Sequence, residues 1–108
     1  MSINTGRGGT KNCGISAGDL KIKRVTLDST ANSAATVSEG IDARCDCEIT
    51  DNSAVKAGGS GAPNSAGIAV YKDNDANELT IEAYCSLTAI GKALPGGSGY
   101  GEIGRAHV

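Results

Sequence analysis

Alternation of apolar and polar residues is the clearest pattern in the chain, and it is strongest over residues 78–87. The apolar or small positions there are Leu79, Ile81, Ala83, Cys85 and Leu87. A period of two predicts a β-strand with one dry face and one wet face. The short apolar run 67–71 precedes this strand, and the turn-prone segment 72–77 separates them. The pattern therefore predicts a β-hairpin over residues 66–87.

Two further segments alternate in the same way. Residues 41–50 place Ile41, Ala43, Cys45, Cys47 and Ile49 on one predicted inward face. Residues 20–28 also read as a strand, but Lys23 and Arg24 interrupt the alternation and shift its phase. One extra residue of this kind is typical of a β-bulge, so we expect a single bulged strand here.

The other segments carry weaker patterns. Residues 1–17 and 95–108 are rich in glycine and small polar residues, which favours extended arms. Residues 51–65 resemble a long loop. Residues 86–94 have apolar residues at helical spacing before Pro95, which predicts a short helix. No internal repeat stands out.

These elements predict one mainly β domain over residues 1–108. We expect a small sheet, barrel or β-sandwich of about four to six strands, with extended glycine-rich N- and C-terminal arms. The body would span residues 18–94 and include the loop 51–65. The arms 1–17 and 95–108 would lie over neighbouring subunits.

The composition indicates a thin hydrophobic core. Gly, Ala and Ser are far more numerous than Ile, Leu and Val, and Phe and Trp are absent. Large aromatic residues dominate the core energetics of most domains. We therefore expect a supplement to the core, such as disulfides, a metal or partner subunits.

Charge and hydropathy limit the classes of partner. The net charge of −2 gives no overall attraction for nucleic acid. Bases concentrate in residues 1–24 and acids in residues 39–51, which favours head-to-tail pairing between subunits, against a simpler reading as a mixed solvated surface. The first part of the chain has no apolar run of the length that a secretory signal needs, so we expect synthesis in a reducing cytosol without membrane insertion.

Catalytic and cofactor motifs are weak. Residues 99–104 match the spacing of a dinucleotide fingerprint, but no helix can follow them. Residues 73–77 resemble the start of a calcium loop without its required Gly and Glu, and residues 7–9 form a single RGG triplet. The only histidine is His107, close to the C-terminus. We therefore expect no enzyme activity, no catalytic residue, no cofactor and no metal ligand.

The cysteines are the most informative residues, and four disulfide candidates follow: Cys13, Cys45, Cys47 and Cys85. Two cysteines two apart on one strand are near the limit of disulfide reach, so Cys45 and Cys47 do not suit each other. Cys85 can meet one of them across paired strands, and Cys13 can bond the other or a thiol of a neighbouring subunit. A four-thiolate zinc site matches the spacing poorly. Buried thiols acting as small apolar residues remain an alternative.

Three short segments resemble a known family. Residues 16–20 (SAGDL), 66–70 (AGIAV) and 78–82 (ELTIE) are similar to motifs of tailed-phage head decoration, or cement, proteins. The resemblance implies a small β-fold on a capsid lattice, bound to the major capsid protein. It also implies a trimer at local threefold positions and an N-terminal arm that grips the shell. The four cysteines, the loop 51–65 and the glycine-rich tail depart from that pattern.

The resulting hypothesis is a non-enzymatic virion structural protein of a bacteriophage, a homo-oligomeric capsid decoration subunit. It would bind copies of itself and other virion proteins through its arms, with no nucleic acid or membrane partner, and disulfides would lock the assembly. The alternatives are a tail tube or fibre subunit, an extracellular filament or adhesin subunit, and a structural zinc-binding module.

Overall fold

The structure, a computed structural model, describes residues 1–6, 9–70, 79–82, 84–103 and 106–107. Most of these residues lie in ten β-strands, and no helix occurs among them. The strands are β1 Ser2–Thr5, β2 Lys11–Ala17, β3 Leu20–Lys23, β4 Thr26–Asn32, β5 Val37–Ala43, β6 Cys47–Thr50, β7 Ala54–Val70, β8 Leu79–Ile81, β9 Ser86–Ile103 and β10 Ala106–His107. The predicted mainly β class is confirmed.

Every pairing between these strands is parallel, and most partners are separated along the chain by a nearly constant interval. Ser2 pairs with Asp28 on one side of the molecule, and Leu20 pairs with Cys47 on another. The pairs between β4 and β7, such as Thr26 with Ala54, keep almost the same interval. A constant interval between parallel partners means that the chain winds into stacked coils. The described residues form a parallel β-solenoid.

Each coil contributes strands to three faces. The first face stacks β1, β4 and the beginnings of β7 and β9, while the second face stacks β2, β5 and the ends of β7 and β9. These two faces form one six-stranded sheet because β7 and β9 run through the corner between them. The third face is a separate four-stranded sheet with the order β10-β8-β6-β3.

The apolar core consists of aliphatic columns in which equivalent positions of successive coils stack. Ile22, Ile49 and Ile81 pair in register on the third face. Leu27, Val55 and Leu87 do the same on the first face, and Ile15, Ile41 and Ile68 on the second. Most of these residues are buried, so each coil adds a layer to a continuous core.

Near the corner between the first and second faces the interior is too narrow for large side chains. A Cβ added to Gly40 would lie 2.5 Å from the Gly58 nitrogen. The Ser29 hydroxyl donates to the Gly40 oxygen at 2.7 Å, and the Ser38 hydroxyl donates to the Ala31 oxygen at 2.8 Å. Backbone packs almost directly on backbone here. This narrow interior explains why Gly, Ala and Ser replace aromatic residues in the composition.

The corners repeat from coil to coil in backbone conformation. Arg24 and Asp51 follow the third face in successive coils and have φ values of 54° and 59°. Ser33 and Gly61 occupy the other corner with φ values of 70° and 73°. A residue in the left-handed region of backbone conformation turns the chain sharply within a short segment. Successive coils therefore repeat the same backbone conformation at their corners.

Several predictions about local structure are wrong. The hairpin over 66–87 is not formed, because β7 and β8 belong to different sheets and β8 pairs with β6 and β10; residues 71–78 lie outside the described residues. The predicted loop 51–65 mostly belongs to β7, and the predicted helix after residue 86 is β9. A β-sandwich is excluded because the described strands pair in parallel.

Two predicted strands are each divided by a corner. The segment 20–28 forms β3 and β4 on different faces, so the interruption at Lys23 and Arg24 ends a strand instead of bulging it. The segment 41–50 forms parts of β5 and β6. Glycine-rich arms are not shown: the described parts of 1–17 pair as β1 and β2, and residues 95–103 continue β9.

The described part of the chain contains no helix of the length and apolar character that a membrane crossing requires.

Candidate functional site

The second face carries a cluster of polar side chains around two buried carboxylates, which we call the acid–thiol cluster: Lys11, Cys13, Glu39 and Asp42. Lys11 and Cys13 lie on β2, and Glu39 and Asp42 lie on the adjacent strand β5. Cys13 and Glu39 are direct partners in the parallel register. The cluster therefore joins the first coil to the second.

A kink in β5 brings the two carboxylates to the same side. Residues 39 and 42 would point to opposite faces of a regular strand. Here Gly40 is directed at the backbone of the opposite face, and its neighbour Ile41 is fully buried in the apolar core. Gly40 and Ile41 thus both face the interior, and their neighbours Glu39 and Asp42 both face outward. Only glycine permits this arrangement at position 40, because a Cβ there would meet backbone atoms.

The two carboxylates share one ammonium group. Lys11 Nζ lies 3.1 Å from Glu39 Oε1 and 2.8 Å from Asp42 Oδ2. The carboxylate side chains are 4% and 3% exposed, whereas the Lys11 side chain is 37% exposed. Asp42 Oδ1 is buried and has no hydrogen-bond donor within the part of the chain that the structure describes. Buried charge is costly unless it is paired, and within this cluster two acids face one base.

Cys13 completes the cluster as a neutral thiol. Its Sγ donates towards Glu39 Oε1 at 3.9 Å and Asp42 Oδ2 at 3.8 Å. The pKa of Cys13 is raised to about 11, first by burial and then by the Asp42 charge, while the Lys11 charge opposes the change. The thiol is therefore protonated at neutral pH, which makes it a poor nucleophile.

A cavity of about 260 Å³ borders the cluster through Glu39. Its wall is mostly apolar and consists of Val37, Glu39, Asn64, Ser65, Ala66, Ala69 and Tyr100. Glu39 is the charged residue of this wall. The cavity therefore gives the outer side of the second face a concave surface with a buried carboxylate at its edge.

The four disulfide candidates occupy four different environments. All of them are free thiols in the structure. Cys47 is buried in the core, and burial followed by the Glu48 charge raises its pKa to about 12. Cys85 is half-buried against the core, and Cys13 belongs to the acid–thiol cluster. Cys45 is exposed, contrary to its predicted inward position, because β5 ends at Ala43 and the chain turns before β6.

The structure brings one cysteine together with other metal-ligating groups. Among the described residues, Cys13, Glu39 and Asp42 are the one set of three or more such side chains, with ligand atoms within 4.8 Å of one another. The four cysteines do not form a set of this kind in the described chain, so the four-thiolate zinc module is not supported by the geometry.

Other motifs of the sequence lie partly or wholly outside the described residues. The calcium-like segment 73–77 and residues 7 and 8 of the RGG triplet lie outside the described residues, as does residue 104 of the dinucleotide spacing. The rest of that spacing, 99–103, is part of strand β9 instead of the turn that a phosphate would need. The side chain of His107 is also outside the described part.

The charge asymmetry of the sequence is satisfied within the chain at three places. Lys21 faces Glu48 at 4.0 Å, and Arg24 binds Asp51 at 2.6 Å. Lys11 binds Glu39 and Asp42. These three bases of the first coil therefore pair with acids of the second coil, which accounts for these charges without the predicted head-to-tail contact between subunits.

Sequence reasoning missed Glu39 and Asp42 as site residues. Their signal is their distance from Lys11 along the chain, which is close to the coil length, but local periodicity does not reveal a coil.

Comparison of the chain with protein-family models, with curated proteins and with solved structures found no match.

Proposed function

We propose that the chain is a non-enzymatic structural protein of a virion that works by association with other protein subunits. The observation that carries this proposal is the open end of the solenoid at its first coil. In the described chain, β1, β2 and β3 each have a strand neighbour on one side only. An edge strand offers unpaired N–H and C=O groups to a further strand. Three such strands lie at the same end of the stack.

The backbone of the edge strands has groups available for such a contact. The Met1 nitrogen donates to the Thr26 oxygen and the Met1 oxygen accepts from the Asp28 nitrogen, so the backbone polar groups of Met1 are directed at β4. Ser2 is then directed away from β4, because successive residues of a strand alternate. On β2 the Ala17 oxygen accepts from the Arg44 nitrogen. By the same argument, the backbone N–H and C=O groups of Ser16 are directed to the open side of β2. A strand from another subunit would bind at these groups.

The chemistry of the acid–thiol cluster also favours a structural role. Its thiol is held protonated beside two carboxylates, which is the opposite of the activation that a nucleophilic cysteine requires. Its ion pairs connect β2 to β5 and therefore stabilise the first coil against the second.

The motif resemblance implies a capsid decoration subunit bound to the major capsid protein, and this is the form of the proposal that we carry forward. A fibre or filament subunit is the second candidate. Stacked parallel coils favour it, because a second copy can continue the same stack end to end. In either form Cys45 is the exposed thiol through which a disulfide to a neighbouring subunit would form.

Quantitative mass spectrometry of purified particles tests the virion assignment. We expect the chain at a fixed ratio to the major capsid protein through successive purification steps. Labelled antibodies in electron microscopy would then separate the shell from a fibre. If the chain were lost during purification and the particles stayed intact and infectious without it, the proposal would be contradicted.

A further inference from the structure

The four side chains of the acid–thiol cluster carry an excess of negative charge. Counted as two carboxylates, one ammonium group and one thiol, their formal charge is −1. Both carboxylates are almost completely buried, and Asp42 Oδ1 has no donor among the described residues. A buried acceptor without a partner is uncommon in folded proteins and requires an explanation. A bound cation would supply one.

We propose that Cys13, Glu39 and Asp42 form a site for one divalent cation of the zinc class. This inference does not depend on the proposed assembly function. The cation would join β2 to β5 and would be held by one thiolate and two carboxylates.

The distances between the ligand atoms suit such a site. Zinc binds sulfur at about 2.3 Å and carboxylate oxygen at about 2.0 Å, so tetrahedral coordination places sulfur and oxygen about 3.5 Å apart. Cys13 Sγ lies 3.9 Å from Glu39 Oε1 and 3.8 Å from Asp42 Oδ2. A contraction of a few tenths of an ångström, within the range of side-chain rotation, would bring the sulfur to the tetrahedral distance from both oxygens. All three ligand atoms lie within 4.8 Å of one another.

Charge balance supports the same conclusion. Binding of a divalent cation would release the thiol proton of Cys13 to solvent and create a thiolate. The cation and Lys11 would then carry three positive charges against the three negative charges of Cys13, Glu39 and Asp42. The cluster would change from a net charge of −1 to neutrality, which is the favoured state for buried groups.

Lys11 acts as the competitor of the cation. Its ammonium group bridges the same two carboxylates, and its side chain is more exposed than either of theirs. The lysine stem is flexible, so Nζ can withdraw towards solvent when a cation arrives. Asp42 Oδ1, which has no donor among the described residues, could then accept from Lys11 while Oδ2 binds the cation.

The donor set determines the cation class. A thiolate selects zinc or cadmium over magnesium and calcium, which prefer oxygen ligands. Three protein ligands leave a fourth position open. The cavity beside Glu39 provides room for a water molecule or a small ligand at that position.

Titration of the full-length chain with cadmium tests the proposal, because a cadmium–thiolate bond gives an ultraviolet charge-transfer band. We expect a band that saturates at one equivalent and competition by zinc. Cys13→Ser and Asp42→Asn should each weaken binding at least about tenfold, a loss of the size seen when metal-site partners are changed. Cys45→Ser is the matched control with an exposed thiol and should bind as the unaltered chain does. Lys11→Gln should strengthen binding.

A second measurement needs no variant that might fail to fold. In the unaltered chain, zinc should slow alkylation of Cys13, mapped by mass spectrometry, and leave Cys45 unaffected. The absence of a saturable band, or a band lost in Cys45→Ser and kept in Cys13→Ser, would overturn the proposal. Equal alkylation of Cys13 with and without zinc would also overturn it.

Discussion

A Cβ on Gly40 would lie 2.5 Å from the backbone nitrogen of Gly58, so the second and first faces of the solenoid meet backbone to backbone at this pair. The same Cβ would lie 2.7 Å from the oxygens of Gly67 and Ser29. The neighbouring atoms belong to the backbone and cannot move aside independently.

Gly40→Ala should therefore destabilise the fold. Overpacking of this kind costs about 1–3 kcal/mol or more in the free energy of unfolding. Urea denaturation of the two proteins gives the measurement. Gly58→Ala is the matched control, because its Cβ would find Thr30 Cγ2 at an ordinary 3.5 Å. If both variants were equally stable, the close approach of the two faces would be wrong.

Removal of the base from the acid–thiol cluster should also destabilise the chain. Lys11→Met would leave Glu39 and Asp42 buried without the ammonium that bridges them. Breaking a buried pair costs about 3–5 kcal/mol, and the partial exposure of Lys11 places the expected loss at or below the lower end of that range. Chemical denaturation in the presence of a chelator measures it.

A second substitution provides the control for that experiment. Adding Asp42→Asn to Lys11→Met removes one of the two carboxylate charges and should recover part of the lost stability. If Lys11→Met were as stable as the unaltered chain, the ion pairs would contribute nothing to the fold.

The four thiols should differ in their rate of alkylation at neutral pH. Cys45 is exposed and should react first. Cys47 should react only when the chain unfolds, because it is fully buried and its pKa is raised to about 12. Timed labelling with iodoacetamide, followed by peptide mapping, measures the order. Rapid labelling of Cys47 in the native chain would contradict its place in the core.

Burial of Cys47 predicts a loss of stability in alkaline solution. Its folded pKa lies near 12, above the ordinary value of 9.0 that an unfolded chain would show. The unfolded state therefore loses its proton first, and the free energy of unfolding falls as pH rises from 9.0 towards 12. Denaturation at several pH values measures this slope. Cys47→Ala should reduce the slope, and Cys45→Ser should keep it; equal slopes in both variants would contradict the assignment.

The strand character of the chain could be predicted from sequence, but its topology could not. Alternation correctly identifies the apolar faces of residues 20–22, 47–49 and 79–81. It cannot distinguish a hairpin from a passage to another face, because both begin with a strand and a polar turn. The left-handed corner at Arg24 falls on a residue that carries no turn signal. Asp51 favours a turn, but a turn residue does not tell which face the next strand joins.

The repeat is hidden in the sequence because identical residues stack in only some of the columns. Ile15, Ile41 and Ile68 stack in one column, and their nearly even spacing along the chain marks the coil length in retrospect. Other columns mix residue types, as in Leu20, Cys47 and Leu79. The acid–thiol cluster depends on that register and on the kink at Gly40, and neither can be seen from local periodicity.

The most direct test of the central claim, that the chain is a structural subunit which associates through the open end of its solenoid, is sedimentation velocity of the full-length chain over a range of concentrations. We expect assemblies larger than the monomer. Ser16→Pro would remove an N–H directed to the open side of β2 and should shift the distribution to monomer, because proline cannot donate to an added strand. Ser16→Ala keeps the N–H and should assemble normally. A chain that stays monomeric at all concentrations, or Ser16→Pro assemblies identical to those of Ser16→Ala, would contradict self-association through this edge.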